Sequence, residues 1–230
     1  MSHYSSTVLA DSPIRYYRLN ESSGTNIVDS GSQAHNGTLN GGVTLSQAGL
    51  IFADSDTSML FNGTTGYISL PTTSLPTSAG AWTLEAWVKM PSSLPANFPV
   101  PLHMGTSTGG ASNATSLVYN AGTVSLGDGQ NFLITGGTLV ANGVYHLVGT
   151  YDGTTAKLYI NGVSIGSTTH TYTVAYGVSY IGNDDSSDFW NGIIDEAAIY
   201  STALSSTRVF AHWNAGYHQV LCNGYGGVFR

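Results

Sequence analysis

The chain has 230 residues, of which six are Lys or Arg and thirteen are Asp or Glu, so its formal net charge is −7. So few basic side chains cannot neutralise a run of phosphates, and we therefore expect neither nucleic acid nor an anionic membrane as a partner. Cys222 is the only cysteine. An intrachain disulfide and a zinc site built from cysteines are thereby excluded.

Charged residues make up 8% of the chain, against roughly 25% in an average soluble domain, which is typical of an exposed, turn-rich β protein. The first residues, "MSHYSSTVLADSPIRYY", have no basic region followed by a long apolar stretch, so we expect no secretory signal. We also expect no membrane span. This combination leaves three origins open: a processed chain, a piece of a larger export substrate, or a virion component released by lysis. We therefore expect a virion or extracellular location. Residues 1–12 are expected to form an N-terminal arm.

Turn dipeptides such as Asn62-Gly63 and Asp128-Gly129 recur along the chain and separate short alternating segments. This spacing predicts an all-β, antiparallel sandwich in one domain, residues 13–216. In residues 81–90, one face of the predicted strand carries Trp82, Leu84, Ala86 and Val88. Residues 144–166 predict three consecutive antiparallel strands, with Asn161-Gly162 as a type I′ turn between the last two.

The Pro- and Gly-rich residues 92–110 predict a long connection, and long connections in compact domains are often functional. The one clear helix signal covers residues 204–216, where Ser205 or Ser206 can cap the helix and Gly216 can end it. Residues 217–230 follow as a C-terminal arm. This arm can add a strand to a neighbouring chain or pack back on its own domain, and we expect a homo-oligomer or lattice.

Two polar loops are candidates for sugar binding. They contain the ligand-binding residues that we predict: Asp128, Gln130 and Asn131 in the first loop, and Asp184, Asp185, Asp188 and Trp190 in the second. Sugar hydroxyls need hydrogen-bonding partners, and the apolar face of a pyranose stacks on an aromatic ring. The alternatives are ordinary hairpin loops, with Trp190 folded into the core.

The chain resembles a laminin G-like (concanavalin A-like lectin/glucanase) jelly-roll domain over about residues 8–216. The blocks that carry the resemblance are "SPIRYYRLNESSGTNIVDSG", "FNGTTGYISLP", "WTLEAWVK", "YHLVGTYDGTTAKLYINGVSIG" and "FWNGIIDEAAIYSTALSSTRVFAHWNAG". The opening block is similar to modules of bacteriophage tail and capsid-accessory proteins and of bacterial surface proteins. The resemblance implies two curved antiparallel sheets, frequent carbohydrate binding and often a structural calcium ion. Residues 92–113 and 217–230 depart from the family pattern.

The acidic pair Asp195-Glu196 lies in an apolar run that predicts a buried strand. In a regular strand the two side chains point to opposite faces, so Asp195 would enter apolar surroundings and need a partner, either a cation or an arginine such as Arg15 or Arg18. In relatives, the residues that correspond to Asp29 and Asp195 resemble a structural calcium pair. The alternative for Asp29 is a hydrogen-bonded turn.

The resemblance and the two loops together predict a noncatalytic carbohydrate-binding or adhesion module on a phage particle. Its partners would be surface glycans and other virion proteins, with weak single sites multiplied by repeated copies. Glycosidases of this fold carry two carboxylates on one strand face, and Glu85 has no such acidic neighbour. We therefore expect no enzyme. The alternative is a purely structural decoration protein anchored by its two arms.

Overall fold

The computed structural model describes residues 2–106, 111–175, 177–184 and 188–217. In chain order the elements are α1 (His3–Leu9), β1 (Arg15–Tyr17), β2 (Asn26–Ile27), β3 (Gly37–Asn40), β4 (Val43–Ala48), β5 (Thr57–Asn62), β6 (Tyr67–Ser69), β7 (Trp82–Lys89), β8 (Leu102–Gly105), β9 (Ala114–Asn120), β10 (Thr123–Gly127), β11 (Phe132–Gly136), β12 (Val144–Tyr151), β13 (Thr155–Ile160), β14 (Val163–Thr169), β15 (Ser179–Ile181), β16 (Asn191–Tyr200) and α2 (Ser206–Tyr217).

The strands form two antiparallel sheets that pack as a sandwich. The back sheet has the order β14-β13-β12-β7-β16-β5-β4, with β1 also paired to β16, and the front sheet has the order β11-β10-β9-β8-β15-β6-β3-β2. The predicted fold class, an antiparallel sandwich with a C-terminal helix, is confirmed. The three predicted strands of residues 144–166 are β12, β13 and β14.

The main core lies between the two sheets. The predicted inward face of β7, with Trp82 and Leu84 among its members, is fully buried there and belongs to one apolar cluster with Leu117 and Leu126 of the front sheet. Ala156 and the alternate residues that follow it in β13 enter the same cluster, because successive residues of a strand face opposite sides. The period-two pattern of the sequence thus defines the layer between the sheets.

The outer face of the back sheet is buried as well, under the two helices. Trp87 of β7 packs there in a second apolar cluster with Val8 and Val209, and the ring of Tyr4 meets it edge-on at 6.0 Å. Helix α1 was not predicted, and it lies within the segment expected to be an N-terminal arm. Its backbone is capped by Ser2, whose Oγ accepts from Ser5 N at 3.1 Å.

Helix α2 begins as predicted. The Oγ of Ser205 accepts from the backbone N–H of Arg208 at 3.3 Å, which is an N-cap bond. Gly216, however, does not end the helix but lies within its last turn. Of the predicted C-terminal arm, residues 217–230, the structure describes Tyr217 alone. Residues 218–230, which include Cys222, lie outside the described residues.

The prediction of one long connection over residues 92–110 is wrong in part, because the segment contains a strand. Residues 102–105 within it form β8, which pairs with β9 on one side and β15 on the other. Leu102 and Met104 enter the core between the sheets, while His103 faces the outer side. The strand is short and follows three prolines, which is a loop-like composition. It forms nevertheless, because its backbone pairs with a neighbouring strand on each side.

Candidate functional site

A cleft of about 320 Å³ lies on the outer face of the front sheet. Both predicted sugar-binding loops and the Pro-rich connection meet at this cleft. Its floor includes Ser116 and Val118 of β9, which face outward because the alternate residues Leu117 and Tyr119 enter the core. Four predicted ligand-binding residues line it: Gln130, Asn131, Asp184 and Asp188.

Two phenylalanines form an aromatic wall of the cleft. Phe98 comes from the connection and Phe132 from the start of β11. Their ring centroids lie 5.2 Å apart with the planes at 48°, and the side chains are 42% and 44% exposed. Large aromatic rings are usually buried, so an exposed pair beside polar groups is a suitable surface for the apolar face of a ligand. We did not predict either residue as a site residue, although an isolated Phe in a Pro-rich connection was a usable signal.

The loop that contains Asp184 and Asp188 is held against the connection by backbone hydrogen bonds. Val100 N donates to the carbonyl of Asp188 at 3.0 Å, and Gly182 N donates to the carbonyl of Pro101 at 2.9 Å. The Oδ1 of Asp184 also accepts from Asp188 N at 3.1 Å, which closes the turn. The third predicted aspartate, Asp185, lies outside the described residues.

Asp128, predicted as a ligand-binding residue, shapes its loop instead of lining the cleft. Its side chain is buried, and Oδ1 accepts from the backbone N–H groups of Gln130 at 3.1 Å and Asn131 at 2.7 Å. Such bonds to residues two and three positions ahead are those of an Asx turn. Asp128 is thus a positioning residue that presents Gln130 and Asn131 at the cleft.

Trp190, also predicted to bind ligand, is fully buried in the core between the sheets. This is the alternative that the sequence left open. Burying the large apolar surface of this side chain stabilises the fold more than leaving it exposed in a loop would. The aromatic surface of the cleft is therefore supplied by Phe98 and Phe132.

The acidic pair Asp195-Glu196 lies far from this cleft, on the helix-covered side of the back sheet. Glu196 has a positive φ of 51°, and the pairing of β16 with β7 shifts by one residue between Asp195 and Ala198. This β-bulge turns both carboxylates toward the same outer layer. Glu196 accepts a hydrogen bond from the Tyr16 hydroxyl, and Asp195 accepts from Leu50 N at 2.8 Å. The prediction of opposite faces is wrong, because it assumed a regular strand.

Burial of the pair changes its acidity. Desolvation raises the pKa of Asp195 to about 7, and desolvation together with the charge of Asp195 raises the pKa of Glu196 to about 8. Arg18 is the arginine partner nearby, with Nε 3.5 Å from Glu196 Oε1. The other predicted partner, Arg15, is buried elsewhere and donates to Gln33 Oε1 at 2.6 Å and to the Thr73 carbonyl.

Asp29, predicted as a calcium ligand, accepts three hydrogen bonds from backbone N–H groups. Tyr16 and Gly31 donate to Oδ1 and His35 donates to Oδ2, each at 2.8 Å. The bond from Gly31, two residues ahead, is that of the alternative, a hydrogen-bonded turn. A calcium ion shared by Asp29 and Asp195 stays a prediction.

Glu85 is enclosed between the back sheet and the two helices. It accepts hydrogen bonds from Tyr4 at 2.8 Å and Tyr200 at 2.9 Å, and it also contacts His146 Nε2 at 2.8 Å and His212 Nδ1 at 3.0 Å. Burial by itself would raise the pKa of Glu85, but the two histidines hold it well below its usual range. The polar neighbours compensate a charge that would otherwise be costly to bury.

Comparison with solved structures shows the same architecture in sugar-binding proteins. Trypanosoma rangeli sialidase in complex with sialic acid matches with a TM-score of 0.67 at 16% identity, covering 88% of this chain and 33% of the sialidase. Domain 4 of AbnA, an extracellular arabinanase from Geobacillus stearothermophilus, was solved in complex with arabinotriose. It matches with a TM-score of 0.64 at 21% identity, covering 87% of this chain and 97% of the domain. The ligand binding domain of botulinum neurotoxin serotype D in complex with N-acetylneuraminic acid matches with a TM-score of 0.67 at 15% identity. The match covers 93% of this chain and 52% of the neurotoxin domain.

The present chain thus spans about a third of the sialidase and about half of the neurotoxin domain. Identities this low show a shared fold. No curated protein sequence matches the chain. Within the described part of the chain, neither helix has the length and apolar character needed to cross a membrane. The family model Laminin_G_3, "Concanavalin A-like lectin/glucanases superfamily", matches residues 62–210, and the chain belongs to this family.

Proposed function

We propose that the protein is a noncatalytic carbohydrate-binding module and that its binding site is the cleft on the front sheet. The observation that carries this proposal is the exposed Phe98–Phe132 pair beside the polar side chains of Gln130, Asn131 and Asp188. The rings offer a stacking surface, while the amides and the carboxylate offer donors and acceptors for hydroxyl groups. Structural neighbours solved with sialic acid and arabinotriose support a carbohydrate as the ligand class.

The charge of the cleft favours a neutral sugar. Asp184 and Asp188 are carboxylates, and no described residue that lines the cleft is a lysine, arginine or histidine. The sequence of residues 107–110 and 185–187 contains no basic residue either. An anionic sugar such as sialic acid would bring its carboxylate toward like charges without a guanidinium to pair it. We therefore expect neutral hexose- or pentose-based glycans.

A binding role agrees with the position of the buried carboxylates. Glu85, Asp195 and Glu196 lie on the helix-covered side of the back sheet, in contact with tyrosine, histidine and arginine side chains. None of the three lines the cleft. A glycosidase of the two-carboxylate type needs both groups at the glycosidic bond, which these buried groups cannot reach.

Binding to an array of neutral and sialylated glycans tests the proposal, followed by calorimetry with the best ligand. Phe98→Ala and Phe132→Ala should each weaken binding about tenfold, which corresponds to about 1.4 kcal/mol. Phe52→Ala is the matched control, because Phe52 is 61% exposed and does not line the cleft. Unchanged affinity in the Phe98/Phe132 double variant would contradict this site. A folded protein that binds no glycan would contradict the function.

The phage-particle role is part of the same proposal, and its support is the resemblance of the opening block "LADSPIRYYRLNE". Many copies on one particle would turn weak sites into firm attachment. Purified particles carrying the protein should therefore bind cells that display the glycan, and free glycan should compete. Particles that bind equally well with Phe98→Ala and Phe132→Ala protein would favour the purely structural decoration role.

A further inference from the structure

A histidine side chain lies directly behind the polar floor of the cleft. His103 of β8 and Ser116 of β9 are paired residues of the front sheet. Both face outward, because their chain neighbours Leu102, Met104 and Leu117 enter the core. The imidazole of His103 is fully buried, whereas Ser116 lines the cleft and is 5% exposed. The register of two strands thus places a buried ring behind a hydroxyl group that a ligand can reach.

The hydrogen bonds of His103 determine which of its ring nitrogens carries the proton. Nε2 lies 2.7 Å from the carbonyl oxygen of Gly105, and a carbonyl oxygen can only accept, so Nε2 carries a hydrogen. A neutral imidazole has one N–H group, and Nδ1 is therefore an acceptor. Nδ1 lies 2.8 Å from Ser116 Oγ. The hydroxyl group of Ser116 thus donates its proton to the ring and not to the cleft.

Neighbouring groups hold the His103 ring in this orientation. The ring of Tyr180 in β15 stacks on it, with ring centroids 6.3 Å apart and the planes at 20°. The backbone carbonyl of His103 accepts from Ser179 Oγ at 2.8 Å. Gly105 has a positive φ of 108°, and a Cβ atom there would lie 2.5 Å from the carbonyl oxygen of Asn113, so this end of β8 depends on glycine. The acceptor of Nε2 therefore belongs to a constrained backbone.

As a consequence, Ser116 offers a ligand only its lone pairs. A serine hydroxyl group has one hydrogen and two acceptor positions, and here the hydrogen points to the imidazole. Asn131 is similar, because its Nδ2 donates to the carboxylate of Asp128 at 3.2 Å and its amide oxygen is left to accept. The ionised carboxylates of Asp184 and Asp188, which also line the cleft, are acceptors as well. The polar side of the cleft is thus rich in acceptors.

We propose that Ser116 is a specificity-determining residue, held as a hydrogen-bond acceptor by His103, and that the cleft selects glycans whose contacting hydroxyl group is free. This inference rests on the proposed sugar site and narrows the class of glycan that it takes. Gln130 supplies amide donors to the cleft, but the acceptors need donors from the sugar. A methyl ether, an ester or a fluorine at the contacting position cannot donate, and polar groups left without partners on binding are costly. His103 acts through Ser116 and is a positioning residue.

Calorimetry with trisaccharides of arabinose, xylose and glucose tests the proposal, each sugar being used with free hydroxyl groups and as a set of monodeoxyfluoro derivatives. Fluorine is similar in size to a hydroxyl group but cannot donate a hydrogen bond. We expect one position at which fluorine weakens binding by about tenfold or more. In Ser116→Ala protein this ratio should fall to about twofold or less, because the acceptor is gone. Ser69→Ala is the matched control and should keep the full ratio, because Ser69 lies on the same outer face three strands away and does not line the cleft.

His103→Gln tests the positioning role. The amide N–H of glutamine can still donate to the Gly105 carbonyl, but the ring acceptor for Ser116 is removed, so the hydroxyl hydrogen can turn toward the cleft. The fluorine ratio should then fall as it does in Ser116→Ala protein. Nitrogen-15 NMR of the histidine rings shows directly which ring nitrogen is protonated, and the signal that His103→Gln removes is that of His103. A proton on Nδ1 in the natural protein would overturn the proposal.

Failure of this inference and failure of the proposed sugar site give different results. If Phe98→Ala weakens binding of a free trisaccharide while natural and Ser116→Ala protein have the same fluorine ratios, the cleft binds sugar but Ser116 does not select it, and the inference is wrong. A folded natural protein that binds neither these trisaccharides nor any glycan of the array contradicts the proposed function and this inference with it. Circular dichroism verifies that each variant is folded, and the Ser116→Ala ratio decides if His103→Gln protein does not fold.

Discussion

Gly216 lies in the last turn of α2, directly against the indole ring of Trp87. A Cβ atom at this position would lie 2.4 Å from Trp87 Cζ2 and 3.1 Å from a ring carbon of Tyr4. Both rings are buried, so neither can move away freely. The missing side chain is what allows the helix to approach the back sheet so closely.

Gly216→Ala should therefore destabilise the protein. Alanine favours a helix by about 1 kcal/mol over glycine, but overpacking in a closed core costs about 1–3 kcal/mol. Urea unfolding should show a net loss of stability. Asn214→Ala, two residues earlier in the same helix and partly exposed, should be neutral or slightly stabilising. A gain in stability for Gly216→Ala would contradict the close packing.

The buried charge of Glu85 leads to a second prediction about stability. Glu85→Gln keeps the shape but removes the charge that pairs with His212, and breaking a buried ion pair costs about 3–5 kcal/mol. Denaturant unfolding at neutral pH measures this loss. Glu21→Gln is the matched control, because Glu21 is only partly buried and its replacement can still accept from Val28 N. Equal stabilities of the two variants would contradict a charged Glu85.

At the scale of elements, a chain of polar contacts fastens both helices to the back sheet. His212 of α2 contacts Glu85 of β7 through Nδ1 at 3.0 Å and Asp11, just after α1, through Nε2 at 2.7 Å. Arg208 of α2 donates to the same Asp11 at 2.8 Å. The helices are thus joined to the sheet and to each other by charge as well as by apolar packing.

This chain of contacts makes stability depend on pH. Burial by itself would lower the pKa of His212, but Glu85 and Asp11 raise it above its ordinary value of 6.5. A raised pKa in the folded state means that the stabilisation is complete below pH 6.5 and is lost as the pH rises through the folded value. For Glu85 the pKa is lowered from 4.5, so its contribution is present above pH 4.5 and is lost in acid.

The stability difference between the natural protein and His212→Asn should therefore be larger at pH 5.5 than at pH 9. Urea unfolding at the two pH values measures it. Besides Glu85 and Asp11, the groups that face His212 are Tyr200, with ring centroids 6.2 Å apart, and His146, whose pKa burial lowers. His3→Asn, on the exposed side of α1 and outside this chain of contacts, is the matched control for the loss of a histidine. A difference independent of pH would mean that His212 is neutral.

At the scale of the whole molecule, the two outer faces of the sandwich differ in what covers them. The back sheet is covered by helices and carries the buried charges, while the front sheet carries the cleft and its loops. The buried carboxylates Glu85, Asp195 and Glu196 and the proposed sugar site thus lie on opposite sides of the two packed sheets. A calcium ion held by Asp29 and Asp195, as the sequence predicts, would stabilise the fold without contacting the sugar, because neither residue lines the cleft.

Chelation should therefore leave the sugar affinity within about twofold, provided that the temperature stays well below the melting temperature in chelator. Calorimetry with the best glycan, in calcium and in excess chelator, measures this. If chelation abolished sugar binding while the protein stayed folded, a metal would have to lie at the cleft itself.

Several features could be predicted from the sequence because their physical basis is local. Alternation of apolar residues in 81–90 and 144–166 defined strand faces, and Asn161-Gly162 has the positive φ values of 51° and 75° that the predicted turn requires. The two polar loops were also visible as clusters of Asp, Asn and Gly. Four of the predicted ligand-binding residues line the cleft for this reason.

Other features depended on how distant segments meet, and only the tertiary structure decided them. Phe98 of the connection meets Phe132 of β11, whereas Asp128 and Trp190 are buried. Two helices cover the outer face of β7 and bury Glu85. A single extra residue at Glu196 turns both members of the acidic pair to one side. Local periodicity determines which residues alternate, whereas burial, bulges and clefts arise from packing between elements far apart in the chain.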